Sequence, residues 1–289
     1  IIIDSMTGGT AKGGKINSIL SSAAEELGLG MGVGSQRAGL RSEKLAETYK
    51  IVRKNAPSIF LSANIGGAQL SQGLSVKDAK NLIDMIEANA LVVHLNPLQE
   101  LIQPEGETES ENVLQSICDL VEEINVPIIV KEVGSGISKE VAIQLEMAGV
   151  SAINVAGSGG TSWAGVEQFR AKNVNDISKV ELGELFWDWG IPTAASIMEV
   201  KRSVKIPIIA SGGIRNGVDI SKSISLGANL GGLAHPMLKK ASESKNALIL
   251  FIEKLIRELK STMYLTGSKN VSELSSTRKV ITGPLKDWL

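Results

Sequence analysis

Lys131, His94 and Glu100 each stand where an apolar, strand-like run gives way to a polar loop, and each can act on a charged or ionisable ligand. Lys131 follows the run Ile128 to Val130, where its ammonium can stabilise negative charge on a bound ring or phosphate; a solvated surface lysine is the plainer reading. His94, one of two histidines, can carry a proton or serve as a neutral hydrogen-bonding group, or simply pack. Glu100 lies in a polar loop with Asn96 and Gln99. A lone carboxylate does not cage a divalent cation, but together with a ligand's phosphates it can hold Mg²⁺; a solvated loop glutamate is the alternative. Thr7, Ser35 and Asn64 offer neutral hydrogen-bonding groups suited to a flat heteroaromatic ligand that needs orientation rather than charge. Arg37 offers a two-pronged grip on an oxyanion, or a surface ion pair, and Trp163 either covers the site or packs, with packing the favoured reading.

A second kind of chemistry sits in the stretch Ile206 to Leu238. The apolar run Ile206 to Ala210 turns through Ser211, Gly212, Gly213, Ile214 and Arg215, continues at helical period to Leu226, and re-enters an apolar run. Paired glycines let backbone approach a ligand closely, and a helix start offers unpaired amides to an anion. Gly212 to Arg215, with Gly231 to His235, thus reads as a phosphate cradle.

The elements that position these residues recur along the chain. Eight short apolar runs, Ile1 to Ser5, Leu29 to Val33, Ile59 to Ala63, Leu91 to Leu95, Val126 to Val130, Ala152 to Ala156, Ile206 to Ala210 and Asn229 to Ala234, alternate with eight amphipathic segments. Such alternation favours a closed (β/α)8 TIM barrel over an open doubly wound sheet. No Gly/Ser-rich linker divides the chain, so residues 1–289 read as one domain. In this architecture the loops after the strands form the working face, and these loops carry the polar and glycine residues. The segment Gly165 to Leu185, rich in charge and poor in periodicity, reads as a lid.

Composition removes several classes. Thirty basic against thirty-one acidic residues leave a net charge of -1, which gives no support for nucleic-acid or membrane-surface binding. Cys118 is the single cysteine and falls in a helical pattern, which excludes disulfides and cysteine-held zinc or iron–sulfur clusters within one chain. No apolar stretch reaches bilayer-spanning length and no signal peptide is visible, so a cytoplasmic setting is expected. Ile1 to Ile3 is already strand-like, so an N-terminal segment is expected to precede it.

With these residues assembled, the chain resembles the type 2, FMN-dependent isopentenyl-diphosphate delta-isomerases, particularly the archaeal ones. The resemblance runs from Ser5-Met6-Thr7-Gly8-Gly9 through Gly34-Ser35-Gln36-Arg37, Ser62-Ala63-Asn64-Ile65-Gly66, His94-Leu95-Asn96-Pro97-Leu98-Gln99-Glu100, Val130-Lys131-Glu132-Val133-Gly134, Gly159-Gly160-Thr161-Ser162-Trp163, Asp188-Trp189-Gly190-Ile191-Pro192-Thr193 and Ser211-Gly212-Gly213-Ile214-Arg215 to Leu265-Thr266-Gly267-Ser268. It implies that Ser5, Met6, Thr7, Ser35, Asn64, Lys131 and Thr161 hold the FMN ring and ribityl chain, with Gly213, Ile214, Arg215, Ala234 and His235 around its phosphate. Arg37, His94, Asn96 and Gln99 would meet the substrate, Gln99, His94 and Lys131 would serve catalysis, and Glu100 would bind Mg²⁺ on the substrate's diphosphate. Two departures stand out: the family's N-terminal basic pair and histidine are absent before Ile1, and His235 stands where an apolar residue is expected.

The resemblance further implies interconversion of isopentenyl and dimethylallyl diphosphate, NADPH as the reductant that primes the flavin, and a homotetramer or homo-octamer. Without the substrate clamp, the chain is expected to bind flavin with a raised KM. The rival reading is an FMN-dependent 2-hydroxyacid oxidase or dehydrogenase. Those enzymes use a histidine base with arginines near the seventh strand, and neither His94 nor His235 is placed for that.

Overall fold

The computed structural model describes residues 1–106, 108 and 111–288. Eight strands, β1 (Ile2–Ile3), β2 (Gly30–Gly32), β3 (Leu61–Gly66), β4 (Ala90–His94), β5 (Ile128–Lys131), β6 (Ala152–Asn154), β7 (Ile208–Ala210) and β8 (Leu230–Leu233), pair in parallel and in sequence order. β8 returns to β1 through Ile2 opposite Gly232 and Ile3 opposite Leu233, which closes the barrel. The expected (β/α)8 fold is the one formed. Its outer ring comprises the helices Ala11–Leu27, Glu43–Asn55, Val76–Met85, Val113–Glu123, Lys139–Met147, Thr193–Ser203, Gly217–Leu226 and Lys245–Leu265. Several of them begin at a residue whose side chain accepts from an amide three positions on: Thr10, Ser75, Ser138, Asn216 and Ser244.

Successive side chains of a strand point to opposite faces, so in a barrel every second residue looks inward. Ile2, Ala90, Val92, Ile129, Ala152 and Ile209, with Leu230, pack together as an inner layer separate from the larger core between sheet and helices. Two residues beyond most of these comes a polar side chain: Asp4 after Ile2, His94 after Val92, Lys131 after Ile129, Asn154 after Ala152 and Ser211 after Ile209. From β3 to β6 the register sets Gly66 opposite His94, His94 opposite Lys131, and Lys131 opposite Asn154; at β7 the row meets the apolar layer, Asn154 pairing with Ile209, and Ser211 stands two residues further on. The barrel therefore has an apolar plug with a polar storey above it.

Two expectations are corrected. The third strand begins at Leu61 and runs to Gly66, so Asn64 lies within the strand rather than after it. The carbonyl of Ile59 is drawn out of the ladder by Arg53, whose Nη1 donates to it at 3.1 Å. Gly165 to Leu185, to which the sequence assigned no regular element, forms most of two helices, Trp163–Asn173 and Ile177–Leu185. Their amphipathic signal is weak, because Glu167 and Gln168 are buried beside Ala164, Gly165, Ala171 and Gly183, while Phe169, Val174, Ile177 and Leu185 face out.

Arg53 also fastens the end of the barrel opposite the polar storey. Its guanidinium donates to the carbonyls of Ala56, Pro57, Ile86 and Glu87 and to Asn89 Oδ1, which in turn accepts from the Leu61 amide at 2.9 Å. Arg53→Met keeps the stem and removes the fork, and is expected to lower unfolding stability by about 2 kcal/mol. A shift of the urea midpoint with unaltered ligand binding checks it.

Candidate active site

The C-terminal mouth of the barrel contains a cavity of about 510 Å³, in the size range of small-molecule sites. Its wall brings together Ser5, Met6, Thr7, Lys131, Thr161, Gly213, Ile214, Arg215, Ala234 and His235, all singled out in the sequence. Ser35 and Asn64 do not line it. The carbonyl of Ser35 accepts from Tyr49 Oη at 2.6 Å, and Asn64 faces His94 on the next strand.

At one end of the cavity the backbone forms a cradle. Gly212 and Gly213 have φ of 94° and 76°, the left-handed region that side chains disfavour. A Cβ on Gly212 would lie 2.1 Å from the carbonyl oxygen of Gly157, and one on Gly160 would lie 2.7 Å from the amide nitrogen of Gly213. The missing side chains therefore let the loops after β6 and β7 interlock and leave the Gly213 amide open to the cavity. The helix His235–Glu243 begins at the same wall, where first-turn amides lack intrahelical partners. Arg215 braces the cradle, donating to the carbonyls of Gly213 at 3.0 Å and Gly159 at 3.2 Å. Ile214 is buried in the core, so what it offers a ligand is backbone. His235 is exposed at the rim.

Opposite the cradle stands Lys131, 6 % exposed, whose Nζ donates to the carbonyl of Glu132 at 2.7 Å. The buried Glu132 carboxylate accepts from the amides of Val133 and Gly134 at 2.6 Å each and from that of Ser135. Its burial pushes its proton affinity up against those bonds. Across the interior, Asp4 accepts from Asn154 Nδ2 at 3.0 Å, and Asn154 Oδ1 accepts from Ser211 Oγ at 2.7 Å. Ala156, at the end of β6, holds φ at 37°, a strained conformation at the cavity wall. The Thr7 hydroxyl donates to Asn17 at 2.5 Å. The glycine pair that follows rests on the Tyr49 ring, which a Cβ on Gly8 would meet at 1.9 Å. Burial pushes the Tyr49 phenol up to about 12, so it supplies no base here.

His94 ends β4 with Nδ1 2.7 Å from Asn64 Oδ1, a carbonyl-type acceptor that favours the tautomer protonated at Nδ1. Burial, then the charges of Lys131 and Arg37, bring its pKa down to about 3, so the ring is neutral. Gln99, Asn96 and Glu100 come together on and before the short helix Pro97–Ile102. Asn96 Nδ2 donates to Gln99 Oε1 at 3.3 Å and to Glu100 Oε1 at 3.0 Å. Glu100 is 7 % exposed. Among the described residues, three or more His, Cys, Asp or Glu nowhere gather as a metal cluster.

The sequence reading missed Glu167. It is 1 % exposed on the helix Trp163–Asn173 and accepts from Gln99 Nε2 at 2.9 Å and from Arg170 at 2.6 Å, Arg170 also pairing with Glu105. Both ends of the Gln99 amide are thus held. Gln99 lines a second cavity of about 550 Å³ that shares Gly160, Thr161 and Trp163 with the first. Trp163, read as packing, is instead a wall between the two spaces. Arg37 lies in a separate cleft of about 310 Å³ with Arg41, Gln69 and Gln72.

Comparison with known proteins agrees with this architecture. Residues 29–281 match the family model of FMN-dependent dehydrogenases. Isopentenyl-diphosphate delta-isomerase of Methanothermobacter thermautotrophicus is 49 % identical over 289 residues, covering 100 % of this chain and 79 % of the relative. The enzyme of the same name from Metallosphaera sedula is 48 % identical, with 100 % and 79 % covered, and that from Archaeoglobus fulgidus 47 %, with 100 % and 82 %. Among solved structures, an (S)-mandelate dehydrogenase mutant superposes with a TM-score of 0.69 at 15 % identity, covering 95 % of this chain and 78 % of that one. A mandelate oxidase mutant carrying an FMN adduct superposes at 0.65 with 14 % identity, covering 96 % and 78 %. At such identities those two report the barrel alone. A cavity whose wall holds both a glycine cradle and a buried ammonium fits FMN, whose phosphate and electron-accepting ring call for those two groups. On the identity that extends over its whole length, the chain belongs to the isopentenyl-diphosphate delta-isomerase family, built on the barrel of the FMN-dependent dehydrogenases.

Proposed function

We propose that this protein converts isopentenyl diphosphate to dimethylallyl diphosphate with reduced FMN as acid–base catalyst, residues 1–289 acting as one FMN-binding domain. The observation that carries the reading is the 49 % identity over all 289 residues to a curated isomerase. The geometry is consistent with it.

Moving the double bond requires a proton delivered to one carbon and another removed two carbons away. An alkene accepts that proton poorly from a side chain of ordinary acidity, because a tertiary cation develops. FMN in its reduced form would supply an acid–base nitrogen and a negative charge that stabilises such a cation.

The chain's own groups do the rest. Lys131 offsets negative charge on the ring edge, and the cradle of Gly213, Ile214, Arg215, Ala234 and His235 receives the phosphate. Ser5, Met6, Thr7 and Thr161 would hold the ring and ribityl chain from the cavity wall, with Ser35 and Asn64 supporting the site from outside that wall. Neutral His94 accepts a hydrogen bond at Nε2 while its Nδ1 is committed to Asn64. Gln99, clamped between Asn96 and Glu167, presents an amide of fixed orientation at the substrate cavity. Arg37 takes the diphosphate, and Glu100 holds Mg²⁺ jointly with it. NADPH primes the flavin, after which turnover is redox-neutral. Homotetramer or homo-octamer assembly and a cytoplasmic setting complete the reading. None of the described helices is long and apolar enough to cross a membrane.

The oxidase alternative has less support. Its histidine base would stand by the seventh strand, whereas His94 is on β4 and His235 starts a helix at the rim.

Incubated anaerobically with FMN, NADPH, Mg²⁺ and isopentenyl diphosphate, the protein is expected to form dimethylallyl diphosphate without net NADPH loss; stoichiometric NADPH consumption would instead mark a reductase. Glu167→Met removes the acceptor for Gln99 Nε2 and so frees one end of the Gln99 amide; it is expected to lower kcat about tenfold to a hundredfold with flavin binding retained. His94 binds its proton near pH 3 when folded against 6.5 when free, so the unfolded chain takes up that proton first. The stability contributed by neutral His94 is complete above pH 6.5 and drains away as the pH falls toward 3. NMR titration of the ring nitrogens, and a flatter acid limb in His94→Gln, are the corresponding measurements.

A further inference from the structure

The segment Asp188 to Thr193 recurs in the family resemblance, yet none of the roles above uses it. In the fold it lies against the mouth as a strut across three loops. The Ile191 amide donates to the carbonyl of Ser135 in the loop after β5, at 2.8 Å. The Ser158 amide, in the loop after β6, donates to the Ile191 carbonyl at 2.9 Å, and the Thr193 amide returns to the Ser158 carbonyl at 3.1 Å. The Thr193 hydroxyl lies within reach of three carbonyls, Gly212 at 2.7 Å, Ser158 at 3.3 Å and Ser211 at 3.4 Å, and the nearest, Gly212 in the turn after β7, is its principal acceptor. Gly157 makes the approach possible, since a Cβ there would stand 2.4 Å from Thr193 Cα.

The bond to Gly212 has a directional consequence. A trans peptide is planar, and its C=O and N–H point in opposite directions. Holding the Gly212 carbonyl on Thr193 therefore turns the Gly213 amide the other way, toward the space that the absent Gly160 side chain leaves beside the cavity. Thr193 itself does not line that cavity. Its β-branched side chain has few rotamers available, so the hydroxyl is held in place rather than searching for its partner.

We infer that Thr193 is a positioning residue for the phosphate of the bound flavin: through the Gly212 carbonyl it aims the Gly213 amide into the cradle. This rests on the proposed binding of FMN in the cavity. It adds that phosphate recognition depends on a hydroxyl outside the cavity wall, whereas recognition of the ring does not.

The test uses the flavin-stripped protein titrated with FMN and, separately, with riboflavin, which has the same ring and ribityl chain without the phosphate. Binding is followed by quenching of flavin fluorescence. Thr193→Val is expected to weaken FMN about tenfold while riboflavin changes by less than about twofold. Thr193→Ser, which keeps the hydroxyl, is expected to stay near wild type for both. Should Thr193→Val fail to fold, as judged by circular dichroism, Thr193→Ala takes its place with the same expectation. FMN affinity unchanged on loss of the hydroxyl would overturn the inference, as would equal weakening of FMN and riboflavin or a serine variant that behaves like valine. A wild-type protein that binds neither flavin would overturn the FMN assignment itself, a result distinct from all three.

Discussion

The two-residue alternation of side chains along a closed set of parallel strands is the constraint on which this site depends. Because each strand contributes an inward residue at every second position, the apolar layer of Ile2, Val92, Ile129, Ala152 and Ile209 fixes what stands above it. Asp4, His94, Lys131, Asn154 and Ser211 are carried to the same end of the barrel, each two residues beyond an apolar inward residue. A slip of one residue in any strand would turn its polar group into the sheet–helix core and its plug residue out of the barrel. Function and stability are therefore written in the same register, and the strength of the plug is what makes the polar storey tolerable.

Polar groups at that depth persist because they are paired. Asp4 and Asn154 satisfy each other and Ser211, the Glu132 carboxylate takes up successive loop amides, and Asn64 holds His94. Burial first, and then the positive charges of Lys131 and Arg37, keep His94 from acquiring a proton. A site that handles protons thus has its own imidazole set outside the titrating range, which leaves the acid–base work to a group that binds there.

Much of this was legible beforehand because the code for a barrel is short-range. A β-branched run followed by a polar or glycine loop marks a strand and its working end, and all eight strands were placed by that rule alone. Lys131 and His94 were identifiable for the same reason. The boundary of β3 was not, because it depends on Arg53, a residue on another element, withdrawing the carbonyl of Ile59 from the ladder. The helices Trp163–Asn173 and Ile177–Leu185 escaped because they bury Gly165, Glu167, Gln168 and Gly183 and present Phe169, Ile177 and Leu185 to solvent, which leaves the periodic signal weak. Glu167 was hidden with them: it meets Gln99 across 68 residues of sequence, a pairing that no local pattern encodes. Trp163 illustrates a related limit, since packing and lining a cavity look alike in one dimension.

The Glu132 turn makes the mouth asymmetric. Amides of Val133, Gly134 and Ser135 form a concavity that would ordinarily welcome an anion, and the protein fills it with its own carboxylate. The amides of that turn are thereby withdrawn from any incoming anion, and backbone recognition of a phosphate at the mouth is left to the turn of Gly212 and Gly213 after β7.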